Sequence, residues 1–150
     1  MLTSFRLTLI QEPDGTGELS AEVNANGFAG KGSAWFNIAE INTFAQALAS
    51  TYPLQPDKAL ELKGGRWNSV VHGQLEHVHL GMRFYPIGNL GTIGCRVHLA
   101  HQNESASLVP EYAVTVELRT DYEALREFGA SLLSVAKGES DEAILPCRAA

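Results

Sequence analysis

Apolar side chains recur at every second position through the first part of the chain, which is the pattern of β-strands with one buried face. The alternation runs through residues 5–9 and 19–34. Asn26-Gly27 interrupts the second segment, and this dipeptide strongly favours a two-residue hairpin turn. A turn at this point keeps the apolar positions of both strands on one face and places Glu22 opposite Lys31. The sequence therefore predicts an antiparallel hairpin here.

Glycines interrupt the second strand of this hairpin. Gly27, Gly30 and Gly32 surround Lys31 in a way that partly matches a phosphate-binding loop, but the spacing is wrong and no helix follows directly. We expect Gly30 and Gly32 to leave room for the first helix to approach the sheet.

Two segments change to the period of an amphipathic helix. Residues 37–50 place their apolar side chains on one stripe and begin with a capping box led by Asn37. Residues 120–138 repeat this arrangement, with Thr120 as the expected N-cap and Gly138 as the C-terminal stop. The chain therefore contains two helices that each bury one face.

Further strands separate the two helices. A short strand at residues 59–63 ends at a Gly64-Gly65 turn, and longer alternating segments cover residues 78–84, 93–99 and 114–118. Strands joined by short links favour antiparallel pairing. We expect an α+β fold in which one antiparallel sheet of about six or seven strands carries both α-helices on one face.

Length and composition indicate one globular domain. A chain of 150 residues with 45% hydrophobic and 19% charged residues can bury one ordinary core. We expect this domain to span residues 1–138, followed by a loose C-terminal tail at residues 139–150. Neither a signal peptide nor an apolar stretch of roughly 20 residues is recognisable, so the prediction is a cytoplasmic protein without membrane contact.

The net charge excludes one class of partner and hides a local exception. A formal charge of −6 argues against non-specific binding of nucleic acid. Residues 58–101, however, carry five basic and two acidic residues, and all five histidines lie within residues 72–101. An anionic ligand or an acidic patch on a protein partner suits this segment.

The hairpin of residues 78–84 and 93–99 carries the strongest candidates for a binding site. If residues 86–91 close it so that Tyr85 pairs with Thr92, the side chains opposite the apolar positions share one polar face. Arginine and aromatic side chains on such a face are typical interface anchors. The predicted binding residues are His79, Arg83, Tyr85, Arg96 and His98.

The same histidines allow a second interpretation. In that register His79 pairs with His98, and a His-x-His strand facing a third histidine can bind zinc, nickel or copper. The candidate metal ligands are therefore His77, His79 and His98. Two nearby arginines would repel a divalent cation, so we expect no cofactor and keep a transition metal or a small anion, with a metal-dependent enzyme, as the alternative.

Catalytic residues are not recognisable in the sequence. A hydrolase needs a nucleophile with a base in reach. Cys95 falls among the apolar positions of its strand, where cysteine acts as a small hydrophobic residue, and Cys147 lies in the tail. The sequence therefore favours a binding protein over an enzyme.

Three segments resemble a family of small bacterial proteins. They are Ser33-Ala34-Trp35-Phe36 before the first helix, Tyr85-Pro86-Ile87-Gly88 between two long strands, and Val116-Glu117-Leu118-Arg119-Thr120-Asp121-Tyr122-Glu123-Ala124-Leu125 before the last helix. In these features the chain is similar to single-domain immunity proteins of polymorphic toxin systems. The resemblance implies a bacterial α+β domain with no known catalytic residues, and it transfers no site to this chain. Our leading hypothesis is a non-enzymatic protein that binds a protein partner, with homo-oligomerisation through a sheet edge as a further alternative.

Overall fold

The computed structural model describes residues 3–101 and 109–147. Within them the elements alternate as three strands, one helix, four strands, one helix and a last strand. Their bounds are Ser4–Gln11 (β1), Thr16–Ala25 (β2), Phe28–Asn37 (β3), Ile38–Ser50 (α1), Leu60–Trp67 (β4), Leu75–Ile87 (β5), Thr92–Ala100 (β6), Ala113–Asp121 (β7), Tyr122–Ala136 (α2) and Glu142–Leu145 (β8). The predicted α+β class is confirmed.

The strands form two antiparallel sheets of four strands each, so the prediction of one sheet with six or seven strands is wrong. Sheet 1 has the order β3-β2-β1-β8, and sheet 2 has the order β4-β5-β6-β7. Alternation along a strand shows which face is buried, but it does not show which strands are neighbours. The division of the strands into two sheets after α1 therefore cannot be recognised from the pattern of apolar positions.

The two halves of the chain repeat one topology and exchange their last strands. Each half runs through three antiparallel strands and a helix, and its final strand then joins the other sheet: β4 lies beside β5, and β8 lies beside β1. Because β8 completes sheet 1, the segment expected to be a loose tail is ordered, with Ala143 and Leu145 buried. Residues 148–150 of that tail lie outside the described residues.

One hydrophobic core joins both sheets and both helices. Phe44 of α1 contacts Phe84 of β5, Phe84 contacts Phe128 of α2, and Phe128 contacts Phe5 of β1. Neighbouring ring centroids in this series are 6.0–6.1 Å apart, the spacing at which tilted aromatic rings attract one another. The predicted buried stripes of both helices are thereby confirmed.

Strand β3 crosses the inner face of sheet 2 in close contact, and at Gly32 it meets the backbone of that sheet. A Cβ atom on Gly32 would lie 2.6 Å from the carbonyl oxygen of His79, and a Cβ on Gly30 would overlap Val114. Gly64 of β4 lies equally close to the ring of Phe36. The glycines of β3 therefore make room for the second sheet, and the expectation that they face the first helix is wrong.

The N-cap of α1 is the residue predicted from the sequence, whereas the N-cap of α2 lies one residue later than predicted. Asn37 caps α1 with the predicted capping box. In α2 the N-cap is Asp121, whose carboxylate accepts a hydrogen bond from the backbone N–H of Ala124 at 2.8 Å. Thr120, the predicted cap, is fully buried and donates its hydroxyl proton to the carbonyl of Pro146 at 2.6 Å. The hydroxyl thus holds the chain after β8 against the end of β7.

The two helices are in close contact at Gly129. A Cβ atom there would lie 2.6 Å from the backbone nitrogen of Ala49 and 2.8 Å from the carbonyl oxygen of Ala45. Since both obstacles are backbone atoms of α1, neither can move without moving the helix.

Replacing Gly129 by alanine should therefore destabilise the fold, although alanine favours a helix by about 1 kcal/mol. We expect Gly129→Ala to lower the free energy of unfolding by about 1–3 kcal/mol through overpacking, measured by urea denaturation. The exposed neighbour provides a control, because Ala130→Gly should lose only the helix propensity of about 1 kcal/mol. A more stable Gly129→Ala variant would contradict the close packing of the helices.

Candidate functional site

A β-bulge in β5 decides which side chains share a face. β4 and β5 pair Gly64 with Leu80 and then Gly65 with Val78, so His79 is an extra residue at this point. A β-bulge locally disrupts the regular pairing and the alternation of faces. Val78 consequently points outward, where its Cγ1 lies 3.2 Å from the Cβ position of Gly81.

His77 and His79 lie inside the molecule, so the prediction that they belong to the polar face is wrong. Their side chains are only 7% and 6% exposed, and their rings stack with centroids 6.3 Å apart. Burial lowers the pKa of His79, and the positive charges of His77, Arg66 and His101 lower it further. The folded protein therefore favours the neutral imidazole of His79.

The hairpin of β5 and β6 is offset by two residues from the predicted pairing. Gly81 lies opposite His98, Arg83 opposite Arg96 and Tyr85 opposite Gly94. The difference arises because the strands extend to Ile87 and Thr92, which shortens the connecting turn to residues 88–91. A shift of two residues preserves the faces.

Four of the five predicted binding residues therefore lie together. They occupy the outer face of sheet 2, remote from the core, and are Arg83, Tyr85, Arg96 and His98. His79, the fifth, is separated from them by the thickness of the sheet.

The predicted metal ligands do not converge. The ring nitrogen Nδ1 of His98 shares a hydrogen bond of 2.6 Å with the hydroxyl of Thr115 on the outer face, whereas His77 and His79 are buried on the inner side. Across residues 3–101 and 109–147, no group of three His, Cys, Asp or Glu side chains could hold a metal ion. The bulge is the physical reason, since it rotates His77 and His79 away from His98.

The outward-pointing side chains of sheet 2 form a surface that we name the arginine face. One row crosses all four strands, with each residue directly opposite the next: Glu61, Arg83, Arg96 and Glu117. The neighbouring rows add Lys63, His98 and Thr115 on one side and Tyr85 and Arg119 on the other. Sequence reasoning missed Lys63, Arg119 and the two glutamates, although the alternation in β4 and β7 would have placed them on the same side.

Tyr85 organises the centre of the arginine face. Its ring lies across Gly94, where any Cβ atom would overlap it, and its hydroxyl donates a hydrogen bond to the carboxylate of Glu117. The guanidinium carbon of Arg83 lies 5.5 Å from the ring centroid, and Arg96 forms an ion pair of 3.5 Å with Glu117. Burial and the neighbouring Glu117 raise the pKa of Tyr85 to about 12, so the hydroxyl remains a donor at physiological pH.

The charge of the arginine face is opposite to that of the whole protein. Four cationic side chains stand against two carboxylates on this face, whereas the whole chain carries −6. The equivalent face of sheet 1 is not cationic: Arg6 pairs with Glu22 at 2.8 Å and with Glu142 at 3.5 Å, and Lys31 lies 4.0 Å from Glu22.

The pairing of β2 with β3 places Glu22 opposite Lys31, which confirms the predicted hairpin at Asn26-Gly27.

Neither thiol is activated as a nucleophile. Burial raises the pKa of Cys95 well above its ordinary value and raises that of Cys147 to about 11. Since the thiolate is the reactive form, both cysteines are held in the unreactive state at neutral pH.

Comparison with protein-family models, with curated proteins and with solved structures finds no match to this chain. The resemblance to immunity proteins therefore stays a prediction. In the described part of the chain, no helix has the length and apolar character needed to cross a membrane.

The buried His79 should make stability depend on pH. Because the folded state lowers its pKa below the ordinary value of 6.5, the unfolded chain binds more protons, and the free energy of unfolding falls as the pH drops below about 6.5. We expect His79→Phe to flatten this dependence between about pH 7.5 and pH 5.5, measured by urea denaturation across that range. Val78→Ala changes the neighbouring residue without removing the imidazole and should keep the wild-type slope; a wild-type slope in His79→Phe would refute the assignment.

Proposed function

We propose that this protein is a non-enzymatic binding protein that uses the arginine face to hold an acidic patch on a protein partner, as an immunity protein would. The observation that carries the proposal is the inversion of charge. In an acidic protein, one exposed sheet face carries four cationic side chains against two carboxylates. On the equivalent face of the other sheet, Arg6 and Lys31 are balanced by Glu22 and Glu142. Such complementarity accelerates encounter with an acidic partner and selects against basic ones.

The contacts on the arginine face prepare the arginines for binding. Arg83 lies over the ring of Tyr85, and Glu117 holds both Arg96 and the Tyr85 hydroxyl. Glu61 forms its ion pair with Lys63, at 3.7 Å. Arginine side chains that are already oriented lose less conformational entropy when a partner binds. Their planar guanidinium groups can then accept carboxylates in two-pronged hydrogen bonds.

The flat shape and the side chains of the arginine face support a protein rather than a small molecule as the ligand, since small-molecule sites are concave. Neighbouring strands lie about 4.8 Å apart and alternate residues about 6.6 Å apart. Three rows across four strands therefore cover about 15 Å by 13 Å. A flat surface of this breadth with an aromatic and arginines at its centre matches the middle of a protein interface.

Reversing the charge of the two central arginines should abolish the interaction. The partner is first captured from the source organism with tagged wild-type protein, identified and purified. Its affinity for Arg83→Glu/Arg96→Glu should then fall by about a hundredfold or more, measured by titration calorimetry. The milder Arg83→Gln/Arg96→Gln should show a smaller loss in the same direction, and circular dichroism verifies that both variants are folded.

The matched control changes the charge by the same amount elsewhere. Lys31→Glu/Arg126→Glu alters one residue on sheet 1 and one on α2 and should retain nearly wild-type affinity. Equal losses of affinity in the two charge-reversed double variants would show that binding depends on the net charge of the protein and not on the arginine face. Unchanged binding by Arg83→Glu/Arg96→Glu would exclude the arginine face.

A further inference from the structure

An open groove separates α1 from the free edge of β4. It has a volume of about 600 Å³. Its lining comprises Ala39, Glu40, Thr43, Phe44 and Ala47 of α1 together with residues 59–62. β4 is the first strand of sheet 2, and in the residues that the structure describes only β5 pairs with it. We name this space the edge groove.

The edge groove exposes backbone groups that a sheet would normally pair. An edge strand directs a row of N–H and C=O groups away from its single neighbour, and these groups can pair with another strand. The helix wall beside β4 carries small side chains at Ala39, Thr43 and Ala47. A further strand would lie about 4.8 Å from β4, beside these small side chains.

We propose that the edge groove binds an extended segment of a partner protein, which adds to sheet 2 as a fifth strand beside β4. Main-chain hydrogen bonds supply affinity in this mode of recognition, and alternate side chains supply specificity. The proposal concerns the edge of sheet 2, which shares Glu61 with the arginine face, and it does not depend on the function proposed for that face.

The lining of the edge groove defines the chemistry of the segment. Side chains that point inward would meet Phe44, Ala47 and Leu62, so small aliphatic residues fit there. Glu40 and Glu61 are the charged residues of the lining, and both are carboxylates. Glu61 forms an ion pair of 3.7 Å with Lys63 of its own strand. A basic residue of the segment opposite Glu61 would add a cross-strand pair and extend the row that begins the arginine face.

Charge and edge geometry favour a partner segment over a second copy of this chain. Two copies each carry a formal charge of −6 and repel one another. The irregular pairing at Gly64 and Gly65 interrupts β4 and leaves the regular stretch Leu60–Gly64. An irregularity of this kind impedes the joining of two sheets, whereas a short peptide needs only a few regular positions.

A model peptide tests the proposal directly. The probe is a capped seven-residue peptide of alternating lysine and valine, titrated into isotopically labelled full-length protein and followed by backbone amide chemical shifts. We expect saturable changes at residues 59–62 and along the groove side of α1. The same peptide with alternate backbone amides N-methylated cannot complete the strand pairing and should lose at least about tenfold in affinity.

Two variants of α1 locate the site. Thr43→Arg places a long cationic side chain in the edge groove and should lower the affinity for the peptide by about tenfold or more. Gln46→Arg makes the same change of charge on an exposed position of α1 outside the lining, and should retain wild-type affinity. Equal losses in the two variants would show charge attraction alone and overturn the proposal.

The remaining outcomes of these experiments also support or overturn the proposal. The proposal is overturned if no saturable shifts appear up to several millimolar peptide, or if the N-methylated peptide binds equally well. Concentration-dependent dimerisation that Thr43→Arg abolishes, measured by analytical ultracentrifugation, would replace the partner segment by a second copy. Peptide binding that persists in Arg83→Glu/Arg96→Glu would keep the edge groove separate from the arginine face, whereas its loss in that variant would overturn the separation.

Discussion

The crossing of β3 over the inner face of sheet 2 is the constraint on which the structure depends. Gly30, Gly32 and Gly64 let the backbones of the two sheets approach until no further side chain fits between them. This contact joins the two halves of the chain, which are also connected by the exchanged strands β4 and β8 and by the aromatic core. Because packed interiors deform little, the crossing also fixes where each strand of sheet 2 can present its side chains.

The bulge in β5 lies at this crossing and determines which side chains of β5 are buried. On one side of it, His77 and His79 turn inward and are buried; beyond it, Arg83 and Tyr85 resume the regular alternation and face outward. The histidines thereby contribute to the interior, and the arginines are left on an exposed surface of opposite charge to the protein. The proposed function and the edge groove both use sheet 2, whose outer face and outer edge are not covered by the other elements described.

Local features of the sequence predicted local structure well. The Asn26-Gly27 hairpin, both helices, the cap at Asn37 and the shared face of Arg83 and Arg96 follow from turn chemistry and periodicity. The division into two sheets and the return of β8 to sheet 1 are tertiary pairings, which alternation does not encode. The inward rotation of His77 and His79 comes from one extra residue in β5. Gly64-Gly65 was predicted as a turn because its contact with Phe36 of the crossing strand β3 is tertiary, and the local sequence does not encode it.

The reversal of faces along β5 is the central claim, and thiol labelling tests it directly. In a Cys147→Ser background, where Cys95 is buried, single cysteines are placed at Val78, His79 and Arg83, and their reaction with a soluble maleimide is timed in the native protein. The account predicts rapid labelling at positions 78 and 83 and strong protection at position 79. Equal labelling at positions 79 and 83 with protection at 78 would show uninterrupted alternation and contradict the account.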